Sequence, residues 1–160
     1  MFFRFDKISQ VALVVKDLHK SIKSLWEDLG IGPWKIWTLT PENTETILHG
    51  RRCKSSFRVG IAKIGDISFE LVQPFGGESI VQEFLDKRGE GLHHLKYAVE
   101  NPETILENFK KEGVLILQSG KIGDSSFYYL DTESKFGFIL ELSTGQALRM
   151  KPPDELYPPD

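Results

Sequence analysis

The chain has 160 residues, enough for one compact domain with a substantial hydrophobic core. Twenty basic and twenty-three acidic residues give a formal charge of −3, and no basic block stands out, so we expect neither a nucleic-acid partner nor an anionic membrane surface. The lone cysteine, Cys53, excludes an internal disulfide framework, and MFFRFDKISQ lacks the apolar core of a signal peptide; we therefore expect a cytoplasmic protein.

The first part of the chain predicts the order β-α-β-β-β. The run ISQVALVV at Ile8–Val15 is apolar and rich in β-branched residues, as expected of a buried strand. Asp17 can cap a following helix, in which apolar residues recur at helical spacing until Gly30. Gly65-Asp66 predicts a hairpin turn. The remaining predicted strands of this unit are Trp34–Leu39, Phe57–Ile64 and Ile67–Val72.

The same order returns after residues 74–90, which predict a loop and a short helix over Ser79–Lys87. Asn101-Pro102 predicts the start of a second amphipathic helix and Gly113 its end. The predicted strands around it are Leu92–Val99, Val114–Gln118, Ser126–Asp131 and Phe138–Leu142. We therefore expect one α+β domain over residues 1–145, with two tandem βαβββ modules (5–73 and 91–145) joined by the connector 74–90. The proline-rich tail 146–160 is predicted to extend neither a sheet nor a helix.

An internal repeat links the two predicted modules. When Gln10 is aligned with His94, Val15 falls on Val99 and Asp17 on Asn101. At the far end of each module, Phe69-Glu70-Leu71 matches Leu140-Glu141-Leu142. If the modules pair about a pseudo-two-fold axis, the polar residues Gln10, Glu70, His94 and Glu141 converge on one cleft.

These four side chains suggest a metal site. A carboxylate inside an apolar strand must face water or find a partner, because burying a bare charge is costly. One divalent cation would neutralise both glutamates, and the mixed nitrogen and oxygen donors suit Zn²⁺, Co²⁺, Ni²⁺ or Mn²⁺. Side chains alternate along a strand, so His93 is expected to face away from the cleft that His94 faces. The alternative for each residue taken alone is a solvent-facing or structural role.

Several segments resemble a known family: QVALVVKDLHKSI, DISFELVQP, GLHHLKYAV and GFILELS. Together they resemble the glyoxalase I and methylmalonyl-CoA epimerase branch of the vicinal oxygen chelate superfamily, from about Ile8 to Ser143. The resemblance implies a single curved mixed sheet around a metal cleft, with helices outside. It also implies Gln10, Glu70, His94 and Glu141 as the ligands of one divalent metal ion.

The same resemblance implies removal of a proton next to a carbonyl, with the metal stabilising the enediolate. Glu141 is the first candidate for the base. An epimerase needs a second acid or base on the opposite face of the substrate; the strand FRVGIAKI contains no acid, so Glu70 is the candidate. An epimerase or isomerase acting on an acyl-CoA leads the interpretations. A lactoylglutathione lyase and a non-catalytic binding protein remain as alternatives, whereas an extradiol dioxygenase would need two histidines.

An acyl-CoA or glutathione adduct would need cations near the mouth of the cleft. The candidate residues are Lys121 and the pair Arg51 and Arg52, whose alternative role is that of a solvated basic cluster. By resemblance we also expect a homodimer.

Overall fold

The structure, a computed structural model, describes residues 4–145, 148 and 151–159. Among these residues, eleven strands form one mixed sheet that is accompanied by four helices. The strands are β1 (Gln10–Val14), β2 (Trp34–Leu39), β3 (Glu45–Leu48), β4 (Arg51–Cys53), β5 (Ser55–Ile64), β6 (Ile67–Gly77), β7 (Gly91–Ala98), β8 (Ile116–Ile122), β9 (Ser125–Leu130), β10 (Ile139–Ser143) and β11 (Glu155–Tyr157). The helices are α1 (Leu18–Leu29), α2 (Ile80–Arg88), α3 (Glu103–Lys111) and α4 (Glu133–Phe136).

The sheet repeats the same pairing on either side of its centre. The strand order is β11-β2-β5-β6-β1-β7-β10-β9-β8-β3-β4. The two first strands of the modules, β1 and β7, are antiparallel neighbours. Each of them pairs in parallel with the last strand of its own module, β6 or β10. This arrangement confirms the predicted α+β class and the pairing of two βαβββ units about a pseudo-two-fold axis.

Two helices cover the outer face of the sheet. Helix α1 is bounded as predicted, since the Asp17 side chain accepts a hydrogen bond from the Lys20 amide (3.0 Å) and Gly30 has φ 67°. Its residue Ile22 lies against Gly60, where an added Cβ would lie 2.9 Å from the Ile22 Cδ1 atom. A glycine in β5 therefore allows helix and sheet to approach closely. In the second module, α3 contributes Phe109 to the equivalent apolar layer.

The opposite, concave face of the sheet carries the functional candidates. At one end of this face, α2 packs Ile80 and Val81 against Val14, Val72 and Ile139. The rest of the face stays open as a cleft. The layer of α2 thus marks where the hydrophobic core ends and the cleft begins.

The segment between β2 and β5 contains a hairpin that the sequence did not predict. Strands β3 and β4 pair with each other, and β3 also pairs with β8 of the second module, with Glu45 opposite Lys121. This segment, for which no strand was predicted, is structured because the edge of β8 supplies hydrogen bonds that a three- or four-residue strand cannot supply alone.

The prediction that the C-terminal tail extends no sheet is wrong. Strand β11 pairs with β2, placing Tyr157 opposite Trp34. The tail is also held by the Asp154 carboxylate, which accepts from the Thr38 amide at 2.7 Å, and by the Lys151 carbonyl, which accepts from Trp37 Nε1 at 3.1 Å. Pro153 and Pro158 lie on either side of β11 and leave four residues with amide N–H groups between them, which suffices for a short edge strand.

The predicted boundary between residues 145 and 146 adjoins residues 146 and 147, which lie outside the described part of the chain. Within the described part, no helix is both long and apolar enough to cross a membrane.

Deletion of residues 151–160 tests the role of the tail in stability. We expect a loss of roughly 2–3 kcal/mol in the free energy of unfolding, since several hydrogen bonds worth about 1 kcal/mol each disappear together. Denaturant titration followed by circular dichroism measures this loss. Deletion of residues 158–160 alone keeps β11 and should leave the stability within about 0.5 kcal/mol of that of the full chain. Equal stability of the full chain and the longer deletion would show that the tail contributes nothing.

Candidate metal centre

A row of polar side chains crosses the concave face from β5 to β8. Residues opposite one another in neighbouring strands share a face of the sheet, so the strand register identifies the row. Its members, in order across seven strands, are Lys63, Ser68, Gln10, Lys96, Glu141, Tyr129 and Gln118. In the neighbouring row, Ala12 of β1 pairs with Glu70 of β6 on one side and with His94 of β7 on the other. The sheet therefore collects polar groups from both modules at its centre.

Two buried glutamates meet one buried histidine in this region. The Nε2 atom of His94 lies 2.9 Å from Oε2 of Glu141 and 3.3 Å from Oε2 of Glu70. The His94 side chain is 0% exposed, and those of Glu70 and Glu141 are 8% and 4% exposed. Lys96 places its Nζ atom 3.4 Å from the other carboxylate oxygen of Glu141, Oε1. The structure thus brings together three of the four residues that the repeat predicted.

The fourth predicted residue, Gln10, lies on the same face and lines the same cleft as Glu70 and Glu141. Judged over the described residues, its buried Nε2 atom makes no hydrogen bond. Nε2 of His94 likewise makes no hydrogen bond of standard geometry, although carboxylate oxygens of Glu141 and Glu70 lie 2.9 and 3.3 Å away. Buried polar atoms without partners are uncommon in folded proteins and point to an unfilled interaction.

His93 does not follow the expected alternation. Its Nδ1 atom lies 2.8 Å from Nδ1 of His94, and both rings contact Tyr129. The cause is a register shift opposite Ala12 and Leu13, which pair with His94 and Leu92 and leave His93 as an extra residue. Such a β-bulge breaks the alternation of side chains. His93 is therefore buried beside His94 rather than on the outer face.

Glu70, His93, His94, Lys96 and Glu141 form a cluster of contacting side chains, and its charges stabilise one another. Burial lowers the pKa of His94, but the attraction of Glu141 and Glu70 outweighs it and raises the pKa to about 9. Burial alone would raise the pKa of Glu141, whereas Lys96 and His94 hold that pKa at about 2. Burial and the charge on His94 lower the pKa of His93 well below its usual value. The cluster therefore contains a charged His94 beside a neutral His93.

The donor set fits a divalent cation in its chemistry, because an imidazole nitrogen, two carboxylates and an amide oxygen are ligands that Zn²⁺ and Co²⁺ accept. As the side chains stand, however, no three His, Cys, Asp or Glu residues in the described ranges form a group that could hold an ion. The two carboxylates contact Nε2 of His94 directly, so a bound cation would have to separate these groups.

The cleft around the cluster has a volume of about 450 Å³. One part of its wall along β5 and β6 is apolar and is formed by Phe57, Val59, Ile61 and Val72. The cations Lys7, Lys63 and Lys96 also line the cleft. A volume of this size is typical of small-molecule sites.

The three predicted substrate-binding cations lie elsewhere. Arg51 and Arg52 are exposed on the edge strand β4, and Lys121 is exposed on β8. The neighbour of Lys121, Ile122, is the residue that lines the cleft. In contrast, Lys96 lies within the cluster although the sequence analysis did not select it. Its position two residues after His94 places it on the same face of β7, and this spacing could have identified it.

The pH dependence of stability without metal tests the charges of the cluster. The His94 pKa is raised by folding, so its contribution is complete below about pH 6.5 and is lost as the pH rises through about 9. The Glu141 pKa is lowered, so its contribution is present above about pH 4.5 and is lost as the pH falls through about 2. In the presence of a chelator, we expect the melting temperature to fall between pH 6.5 and pH 9.5.

The substitution His94→Gln should abolish this alkaline decrease. His49→Gln, at a half-exposed histidine between β3 and β4, should retain it. A melting temperature of the unmodified protein that stays constant over this range would contradict the charge assignment.

Comparison with known proteins identifies the family of this chain. The family model described as the glyoxalase/bleomycin resistance protein/dioxygenase superfamily matches residues 9–129. The mitochondrial methylmalonyl-CoA epimerase of Mus musculus is 24% identical over 144 residues, which cover 88% of this chain and 74% of that protein.

Solved structures show the same fold at low sequence identity. A methylmalonyl-CoA epimerase in complex with methylmalonyl-CoA and NH₄⁺ has a TM-score of 0.66 at 21% identity, covering 88% of this chain and 95% of that one. A Streptomyces coelicolor methylmalonyl-CoA epimerase variant in complex with 2-nitronate-propionyl-CoA has a TM-score of 0.66 at 20% identity, with the same two coverages. The matched family model spans most of the chain, and the protein belongs to the glyoxalase/bleomycin resistance protein/dioxygenase superfamily.

Proposed function

We propose that the protein catalyses metal-dependent proton transfer at the carbon next to the thioester carbonyl of an acyl-CoA, as an epimerase or isomerase. The observation that carries the proposal is the meeting of Glu70 and Glu141, which both line the cleft, at Nε2 of the buried His94. The named relatives, which are methylmalonyl-CoA epimerases, support a methylmalonyl-CoA-like substrate.

Gln10, Glu70, His94 and Glu141 would hold the divalent cation. A cation bound there would supply Lewis-acid stabilisation of the negative charge that develops on the substrate carbonyl oxygen. The ligand set supports Zn²⁺, Co²⁺, Ni²⁺ or Mn²⁺, because it mixes one imidazole nitrogen with amide and carboxylate groups.

His93 would set the tautomer of His94. For Nε2 of His94 to bind a cation, the ring proton must lie on Nδ1, which is 2.8 Å from Nδ1 of His93. The neutral His93 ring can accept that proton in a hydrogen bond, since its own pKa is lowered by burial and by the charge of His94. Metal-binding histidines commonly donate their second N–H to a fixed acceptor, which orients the ring.

Glu141 is our candidate for the base, and Glu70 for the group on the opposite face. The two carboxylates approach His94 from β10 and β6, which lie on opposite sides of the central pair β1 and β7. An epimerase needs two proton-transferring groups that flank the substrate carbon. The flanking arrangement supports an epimerase, and β5, as the sequence indicates, adds no acid of its own.

The open cleft and its apolar wall suit the acyl end of a thioester. Phe57, Val59 and Val72 offer contacts for a short carbon chain beside the cluster. The exposed cations Arg51, Arg52 and Lys121 stay candidates for the phosphate groups of a coenzyme that extends beyond the cleft.

A lactoylglutathione lyase is the second candidate, and Gln10 is the observation that favours it. By resemblance, the zinc-type glyoxalase I enzymes use a Gln, Glu, His, Glu ligand set. Gln10 is buried in the cleft, and its amide nitrogen has no hydrogen-bond partner among the described residues. The hemithioacetal of methylglyoxal and glutathione is the substrate that tests this candidate.

Exchange of the substrate α-proton in deuterium oxide tests the proposed function. We expect the Co²⁺-loaded protein to incorporate deuterium into methylmalonyl-CoA, measured by mass spectrometry. Glu141→Gln should slow the exchange by about 10²- to 10⁴-fold, because a general base is removed while the side-chain volume is kept.

Glu107→Gln is the matched control, since Glu107 is exposed on α3. This variant should exchange the substrate α-proton at the rate of the unmodified protein. An unmodified rate in Glu141→Gln would exclude Glu141 as the base. Absence of exchange with acyl-CoA thioesters but turnover of the hemithioacetal would favour the lyase. If the protein acted on neither the acyl-CoA thioesters nor the hemithioacetal, a non-catalytic binding protein would be favoured.

A further inference from the structure

Lys96 breaks the internal symmetry of the cluster. The alignment that places Gln10 on His94 also places Ala12 on Lys96. Ala12 is fully buried and adds only a methyl group to the concave face. At the matched position of the second module, a lysine extends from the middle of β7 between Gln10 and Glu141. The ammonium group is therefore present in the second module only.

The ammonium and the imidazole share one carboxylate. Oε2 of Glu141 contacts Nε2 of His94 at 2.9 Å, and Oε1 contacts Nζ of Lys96 at 3.4 Å. Each oxygen of Glu141 thus already faces a side-chain nitrogen. The Lys96 side chain is 26% exposed, compared with 4% for Glu141, so its head group can move toward solvent while the carboxylate cannot.

Lys96 already neutralises part of the negative charge of this region. Glu70 and Glu141 supply two carboxylates, and Lys96 places one ammonium group 3.4 Å from Glu141. A divalent cation added to this set would leave an excess of positive charge in a buried region, which is costly unless a cation leaves.

We propose that Lys96 is an internal counter-ion of Glu141 that competes with a divalent metal for this carboxylate and must withdraw into the cleft when the metal binds. The inference rests on the proposed metal-dependent function and adds a residue that sets how tightly the site holds its metal. Lys96 then controls metal affinity without being a ligand.

Affinity for Co²⁺ alone, measured by calorimetry and visible absorption, tests the proposal. Lys96→Met keeps much of the side-chain volume and removes the charge. Lys96→Ala introduces the alanine that the first module has at the matched position, Ala12. We expect both to bind Co²⁺ at least about tenfold more tightly than the unmodified protein. Lys96→Arg keeps the charge and should bind as weakly as the unmodified protein.

Lys7→Met controls for the general charge of the cleft, which Lys7 also lines. We expect its Co²⁺ affinity to stay within about twofold of the unmodified value, because long-range charge effects are screened by salt. If Lys7→Met strengthened binding as much as Lys96→Met, the effect would come from net charge and the proposal would be wrong.

Thermal unfolding with a chelator gives an independent readout. Lys96→Met should melt at a lower temperature than the unmodified protein because Glu141 loses its counter-ion. Co²⁺ should raise the melting temperature of Lys96→Met by more than it raises that of the unmodified protein. If Lys96→Met does not fold without metal, Co²⁺ must restore its circular dichroism spectrum. Failure of that rescue would overturn the proposal.

The outcomes separate the two proposals. Co²⁺ binding by the unmodified protein with equal or weaker binding by Lys96→Met overturns the role of Lys96 and leaves the proposed function standing. Tight binding by Lys96→Met with none by the unmodified protein supports the role of Lys96 and excludes metal-dependent catalysis by the natural sequence. Absence of binding in every variant overturns both.

Discussion

The cost of burying two carboxylates governs the centre of this protein. Glu70 and Glu141 lie on the concave face of the sheet, and their side chains are only 8% and 4% exposed. Neither could remain charged there without cations close by. His94 contacts both of them, and Lys96 contacts one. The pKa values of about 9 for His94 and about 2 for Glu141 express the same mutual dependence.

The duplicated topology explains why these groups meet. Parallel pairing of β1 with β6 and of β7 with β10 places the last strand of each module beside its first, and β1 and β7 join the modules. A glutamate in each last strand therefore reaches the same central histidine from opposite sides. Function then depends on the departures from symmetry: His94 replaces the amide of Gln10, Lys96 replaces Ala12, and the bulge brings His93 beside His94.

The order of the predicted elements was sufficient for the α+β class, and the Asp17 cap with helical spacing predicted α1. The repeat predicted the meeting of Glu70, His94 and Glu141 and the position of Gln10 in the cleft that both glutamates line. It could not predict the bulge, because the extra residue in β7 becomes visible only in the register against β1. Strands β3 and β11 were missed since each is short and depends on a distant edge, that of β8 or β2. Lys96 was accessible to period-two reasoning from His94, yet its ion pair with Glu141 depends on the pairing of β7 with β10.

Anomalous diffraction from crystals grown with Zn²⁺ shows whether the buried cluster holds a divalent cation. We expect one strong peak within about 2.3 Å of Nε2 of His94 and of a Glu141 carboxylate oxygen. Peaks confined to the exposed pairs His19 with Glu155 or His49 with Glu83, and none at His94, would show that the cluster holds no cation.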